Sequence, residues 1–293
     1  MFKALGFTRA DDKAGKRRRP RRPNWTARDR FLAPHEKRFG TMLKGVWGEE
    51  RRVILGNMRK YPLKAWPPKQ MPGGESMSEG QFYALALHKG EPIVDNWMYP
   101  STRFTAKLST AAQRVLATLL GESITRIIAE GSFDVAFNVV NDRAIEWLNE
   151  YVIKLSANLE EVNLHDLKTA LMEGIDAGES MVDLRNRVNE VFETYDSARA
   201  EAIARTETIR AQEEGNQEVY KEAGFERKVW FANPDACKPT GKPSDAGRTF
   251  CSDLNDIDVP IDESFVDGED VMAPPLHPNC RCSSAPWDES WGD

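Results

Sequence analysis

Apolar residues recur at three- and four-residue steps through the middle of the chain, and that period predicts helices. Leu116, Leu119, Leu120, Ile124, Ile127 and Ile128 share one helical face. Ile145, Leu148, Val152 and Leu155 share a second, with Asn141 or Asp142 placed as its N-cap. Leu164, Leu167, Leu171 and Ile175 form a third run that stops at Gly178, and Leu184, Val188 and Val191 form a fourth after Ser180. A fifth run extends from about Ser197 to Ala223 and stops at Gly224, a residue suited to ending a helix. Short connections between such helices predict a mainly α bundle over residues 76–226.

The pattern changes on both sides of that bundle. Phe225 to Phe231 is aromatic and β-branched and predicts a strand, and Asp258 to Ile261 predicts a shorter one. The rest of residues 227–293 is punctuated by proline and predicts a small α+β module with long loops. Residues 1–75 read as an extended Pro-rich arm. Pro62, Pro67, Pro68 and Pro72, followed by Gly73 and Gly74, exclude a helix or a central strand there. One short amphipathic helix around Phe39 to Met58 fits inside the arm. Trp25, Trp47 and Trp66 also fall in it, and large aromatics are costly to leave in water, so parts of the arm are expected to dock.

Charge divides the chain more sharply than hydropathy does. The net charge of −6 conceals a first 60 residues with 18 Lys+Arg against 6 Asp+Glu, a net of +12. Residues 61–293 therefore carry 22 against 40, a net of −18. The basic end contains Lys16, Arg17, Arg18, Arg19, Arg21 and Arg22, a block suited to a polyanion or an acidic partner, although such a run is also compatible with a solvated arm. From Asp253 to Asp293 there are eleven acids and one base, Arg281. Such asymmetry points to different partners at the two ends.

The length of 293 residues suits about two domains. No run of about 18 apolar residues occurs, which argues against a membrane-spanning helix. No basic start followed by an apolar stretch marks a secretory signal, so folding in a reducing cytoplasm is expected.

All four cysteines lie late in the chain, at Cys237, Cys251, Cys280 and Cys282, and His277 precedes Cys280 by three residues. A small irregular module has too little core to hold itself together and commonly relies on a metal or a disulfide. Zinc takes thiolate and imidazole in a tetrahedral set, and these five residues are candidates for its four positions. A disulfide framework and simple burial of the thiols are the competing readings. His35, His88 and His165 have no companions at metal spacing.

One combination of motifs goes further. Ala204-Arg205-Thr206-Glu207 opens a helical stretch that continues through Gly215-Asn216. Lys228-Val229-Trp230 follows, then Cys251-Ser252-Asp253-Leu254, and last Pro274-Pro275-Leu276-His277-Pro278-Asn279-Cys280-Arg281-Cys282. Upstream, Asn141 to Ile145 and Gly174 to Phe192 add two weaker segments. This ordered set resembles the phage head morphogenesis family, whose members include minor capsid proteins similar to Mu protein F and the SPP1 minor head protein. The resemblance covers residues 133–287. The chain departs from the pattern at Cys237, which a Lys-, Pro- and Gly-containing loop separates from Cys251.

The resemblance implies a minor capsid protein of a tailed-phage head, located in the virion and assembled in the host cytoplasm. It would join the procapsid near the portal and assist assembly, DNA packaging or DNA delivery. Portal, major capsid or scaffolding proteins are the implied partners, with packaged double-stranded DNA meeting the basic arm. Related domains can also precede toxin or transferase domains. Here the chain ends eleven residues after Cys282, so no further domain is expected. No phosphate loop, triad or paired-carboxylate motif appears, so no enzyme is expected. A nucleic-acid-binding zinc protein is the other alternative, and it would need a basic Cys module. Arg205, Thr206, Glu207, Trp230, Asn279 and Arg281 read as structural motif residues. Arg205 either pairs with Glu201 one turn away or reaches across to the carbonyls of the Cys module. Arg281 is expected to satisfy carboxylates or carbonyls.

Overall fold

The computed structural model describes residues 22–62, 93–131, 135–235, 237 and 249–288. Its helices are α1 (Trp25–Lys60), α2 (Ile93–Trp97), α3 (Ser101–Gly131), α4 (Phe137–Asp176), α5 (Met181–Thr194) and α6 (Ala200–Glu222). A π-helical turn, Tyr195–Arg199, joins α5 to α6. Three strands follow, β1 (Arg227–Phe231), β2 (Asp258–Pro260) and β3 (Ser283–Trp287). The architecture is mainly α with a small C-terminal sheet, as the periodicity predicts. No described helix is long and apolar enough to cross a membrane.

Several boundaries depart from the sequence reading. The short helix expected near Phe39 is a 36-residue helix that starts at Trp25 and runs through Pro34. Its inward positions include Leu32, Phe39, Leu43, Trp47, Ile54 and Met58, each at most 1% exposed, so packing outweighs the proline. The second and third runs fuse into the 40-residue α4. That span has no proline, and no glycine before Gly174, so nothing interrupts the backbone ladder. Asn141 is consequently inside the helix, one turn past its start at Phe137, and neither it nor Asp142 is the N-cap. Residues 63–92, with Trp66, His88 and the expected helical start near Ser78, lie outside the described residues.

Other local signals are realised as read. Ser180 caps α5 and forms a reciprocal capping box with Asp183. At the end of α6 the Phe225 N–H bonds the Tyr220 carbonyl at 3.1 Å and the Gly224 N–H bonds that of Lys221 at 3.0 Å. Gly224 adopts φ +75°, which closes this double cap.

The chain divides into two compact units. One comprises residues 41–111 and 151–200. Its core includes Trp97, whose indole N–H bonds the Tyr61 carbonyl at 2.8 Å, and Trp47, which packs on Tyr195. The Tyr195 hydroxyl donates to Asp166 at 2.9 Å. Glu50 and Asn163 are buried here, with the Asn163 amide donating to Glu50 at 3.3 Å.

The other unit joins residues 1–40, 112–150 and 201–293, three segments far apart in sequence. Within it α6 lies against α3 at Gly215. A Cβ at that position would stand 3.1 Å from Leu120 Cδ2 and 3.2 Å from Ile124 Cγ1, so any larger residue makes those side chains give way. His35 is buried here against Phe31, with its Nε2 3.1 Å from Glu122.

The sheet of this unit has the order β2-β1-β3, antiparallel throughout. β1 alternates as a central strand must. Val229 and Phe231 pack with Ala285, Trp25 and Trp287 on one face. Trp230 packs on the opposite face with all four cysteines, Leu254 and Phe265. β3 was not legible in the sequence because Ser283-Ser284-Ala285-Pro286-Trp287 reads as a proline loop. It is an edge strand, the position in which a sheet tolerates proline.

Candidate metal centre

Three turns deliver the cluster. Cys237 follows β1 in a turn closed by its own N–H on the Asn233 carbonyl at 3.2 Å. Cys251 opens the turn before β2. His277 and Cys280 share a turn in which the Cys280 N–H bonds the His277 carbonyl at 3.1 Å. Asn279 occupies the left-handed region with φ 60°, a conformation asparagine adopts more readily than most residues.

Cys237, Cys251, His277 and Cys280 bring one ligand atom each to within 4.8 Å of one another. The Cys237 and Cys280 sulfurs are 3.9 Å apart, and those of Cys251 and Cys280 are 3.7 Å apart. A tetrahedron with metal–sulfur bonds of about 2.3 Å has sulfur–sulfur edges of about 3.8 Å, so the spacing fits zinc. All four thiols are free, which removes the disulfide reading. The departure at Cys237 does not break the set, because the turn after β1 places its sulfur within 4.8 Å of the other three ligand atoms. Cys282 is buried in the same core but falls outside the set of four.

The imidazole is arranged for ligation. His277 Nδ1 lies 2.8 Å from the Pro278 carbonyl oxygen. A proton on Nδ1 donated to that carbonyl leaves Nε2 with its lone pair for a metal. The thiols and imidazole also perturb one another. Hydrogen bonds with Cys251, then Cys280 and Cys282, pull the Cys237 thiol below its ordinary range, and the bond to Cys237 pushes Cys251 up. The bond with Cys237 raises His277 to about 9. Metal binding takes thiolate and neutral imidazole, so it must displace the protons that Cys251 and His277 hold. Four protein ligands would close the coordination sphere of a bound ion, the arrangement of a structural zinc site.

A second layer holds the ligand turn in place. The Arg281 N–H donates to Cys237 Sγ at 3.3 Å. The Arg281 carbonyl accepts from Arg28 Nη1 of α1 at 2.9 Å, and the Arg281 guanidinium pairs with Glu36 and Asp29 of α1. Arg28 also donates to Gln212 at 2.9 Å and Glu213 at 2.7 Å. Glu213 in turn accepts from the Ser283 hydroxyl at 2.8 Å, the Ser284 N–H at 2.9 Å and the Ser284 hydroxyl at 2.7 Å. One buried carboxylate thus ties α6, α1 and β3 together.

The motif residues divide in a way the sequence did not indicate. Thr206 accepts from the Asn279 N–H at 3.1 Å, so the helix motif does reach the ligand turn. Arg205 does not supply the expected carbonyl contacts. It pairs with Glu36 at 3.9 Å and its side chain is 42% exposed, while Arg28 makes the tie to the turn. Glu207 lies 3.6 Å from Arg210 one turn on. Trp230 is fully buried and meets Phe265 edge-on at 5.2 Å. Arg281 satisfies carboxylates as expected, but they come from α1 rather than from its acidic neighbours. Of the basic block, Arg22 reaches Asp256 at 2.7 Å, and Lys16, Arg17, Arg18, Arg19 and Arg21 lie outside the described residues.

Sequence reasoning missed Arg28, Gln212, Glu213 and Gln217. A signal for three of them was present. Gln212, Glu213, Asn216 and Gln217 sit on the buried phase set by Ile209 and Tyr220, where a surface helix would carry apolar residues.

Residues 165–285 match the family model described as phage Mu protein F like protein. The uncharacterized protein YqbB of Bacillus subtilis (strain 168) is 25% identical over 134 residues, covering 45% of this chain and 41% of that protein. The chain therefore spans less than half the length of the curated relative it matches. No solved structure matches the chain significantly. The matched segment contains α5, α6, the sheet core and all of the ligand set, and the family match supports a general role in phage head morphogenesis and a virion location.

Proposed function

Because residues 165–285 are similar to the phage Mu protein F like family, we propose that the protein is a minor capsid protein of a tailed bacteriophage. In this reading it joins the procapsid near the portal and assists head assembly, DNA packaging or DNA delivery. Its partners are the portal protein and the major capsid or scaffolding protein. Packaged DNA meets the basic block at Lys16 to Arg22. The protein assembles in the host cytoplasm and carries out no reaction.

The observation that carries the reading is the four-ligand set of Cys237, Cys251, His277 and Cys280, clamped onto α6 through Thr206 and Glu213. A closed tetrahedral site suits a rigid docking knob, since it leaves no position open for a substrate. In this reading zinc is the resident ion and supplies cross-linking of three loops. The acidic surroundings of the knob, with Arg281 as the lone base among eleven acids, disfavour a nucleic-acid-binding zinc module.

Protein purified without added metal is expected to contain about one zinc per chain. Particles purified from the phage are expected to contain the protein at low copy number. Its absence from particles that still package DNA would defeat the minor capsid reading.

A further inference from the structure

We propose that the outward face of α1 is a docking surface for the phosphate backbone of double-stranded DNA. Arg30, Lys37, Lys44, Arg52 and Arg59 are all exposed and recur at seven- and eight-residue steps. Two helical turns take about seven residues, so these cations keep to one side of the helix over about 44 Å. Arg38 and Lys60 are exposed beside them.

The neutralisation of α1 makes this face unusual. Each acid of the helix is engaged by another element or buried. Asp29 and Glu36 pair with Arg281. Glu49 pairs with Lys107 and, at 3.6 Å, with Arg103 of α3. Glu50 is only 2% exposed. The inward cations are also spoken for, Arg28 by Glu213 and Arg51 by Asn189 at 2.8 Å. Among the described residues, Arg30, Lys37, Lys44, Arg52 and Arg59 have no ion-pair partner, in a chain whose net charge is −6.

The chemistry of the face selects its occupant. Between the cations the exposed positions of α1 are Ala33, Pro34, Thr41, Gly45 and Gly56. Protein interfaces rely on large aromatic anchors such as Trp, Tyr or Phe, and this face presents none, its one large apolar side chain being the partly buried Leu55. Evenly spaced lysines and arginines on a smooth helix suit sequence-independent phosphate contact. The inference extends the reading of the basic arm to a second, helical surface and stands on different residues.

The test is a salt titration of the full chain on a mixed-sequence duplex, with two full-length variants. One is Lys37→Ala/Lys44→Ala/Arg52→Ala/Arg59→Ala, and the other is Lys16→Ala/Arg17→Ala/Arg18→Ala/Arg19→Ala. Alanine at exposed helical positions preserves the helix, which an unchanged thermal melt verifies. The helix variant is expected to reduce the slope of log affinity against log salt by up to about 3.6, because each of four lost phosphate contacts removes about 0.9. An unchanged slope in the helix variant, with the loss confined to the arm variant, overturns this inference and leaves the arm reading standing. A loss confined to the helix variant removes the arm reading instead. Polyglutamate competing better than duplex DNA at equal charge also overturns the inference, in favour of an acidic protein.

Discussion

Arg28 Nη2 stands 2.7 Å from Glu213 Oε1, with the two side chains 1% and 0% exposed and 185 positions apart in the chain. A buried pair of this kind is costly to desolvate and is tolerated where every remaining polar atom finds a partner. Here Gln212, Ser283, Ser284 and the Arg281 carbonyl supply those partners.

Breaking the pair from one side strands the other charge. Glu213→Gln or Arg28→Met is expected to lower stability by about 3–5 kcal/mol, measured by denaturant unfolding. The double variant is expected to lose less than the sum of the two, because neither charge is then left alone. Additive losses would mean that the two side chains act independently.

The ligand set separates the cysteines. Cys280→Ser is expected to lose stoichiometric zinc and to melt well below the parent protein, whereas Cys282→Ser is expected to retain the metal. Metal content by mass spectrometry and a melt with and without chelator read both effects. Equal zinc loss in the two variants would move the Cys282 thiol into the coordination sphere.

Burial, then the nearby Glu160 carboxylate, raises Glu50 to about 8, against the lowering effects of Asn163 and Arg199. The folded state therefore holds a proton that the unfolded state releases near the ordinary value of 4.5. Stability is expected to fall as the pH rises from about 5 to about 8, because over that window folding requires proton uptake. Glu50→Gln is expected to flatten the decline and to add about 2–4 kcal/mol above the upper limit, read from unfolding curves at several pH values. A variant with the same pH profile as the parent protein would exclude Glu50 as its source.

Gly215 gives a packing test. The contacts of 3.1 and 3.2 Å that a Cβ would make are with Leu120 and Ile124, both fully buried. Gly215→Leu is expected to cost about 3 kcal/mol despite the better helix propensity of leucine, since the overpacked side chain must push α6 off α3. A melting temperature at or above the parent's would show that the helices can separate freely.

Much of the helical scheme was determined by local order along the chain. The stripe through Leu116 and Ile124, the capping box at Ser180 and the left-handed stop at Gly224 each depend on residues within a few positions of one another. The continuity of α4 is hidden in the sequence because Asn141 and Asp142 suit an N-cap in isolation, and only the uninterrupted backbone ladder overrules them. The extent of α1 was hidden in the same way, since its inward residues are recognisable only once there is a core for them to face. For the site, the sequence by itself determined the ligand types and narrowed them to five residues. The tertiary structure chose four, because sulfur–sulfur distances depend on how three turns close around Trp230. It also decided what holds that cluster. Arg28 meets Glu213 and the Arg281 carbonyl through contacts spanning more than 180 positions, and a charge pair of that range leaves no periodicity or spacing in the sequence to read.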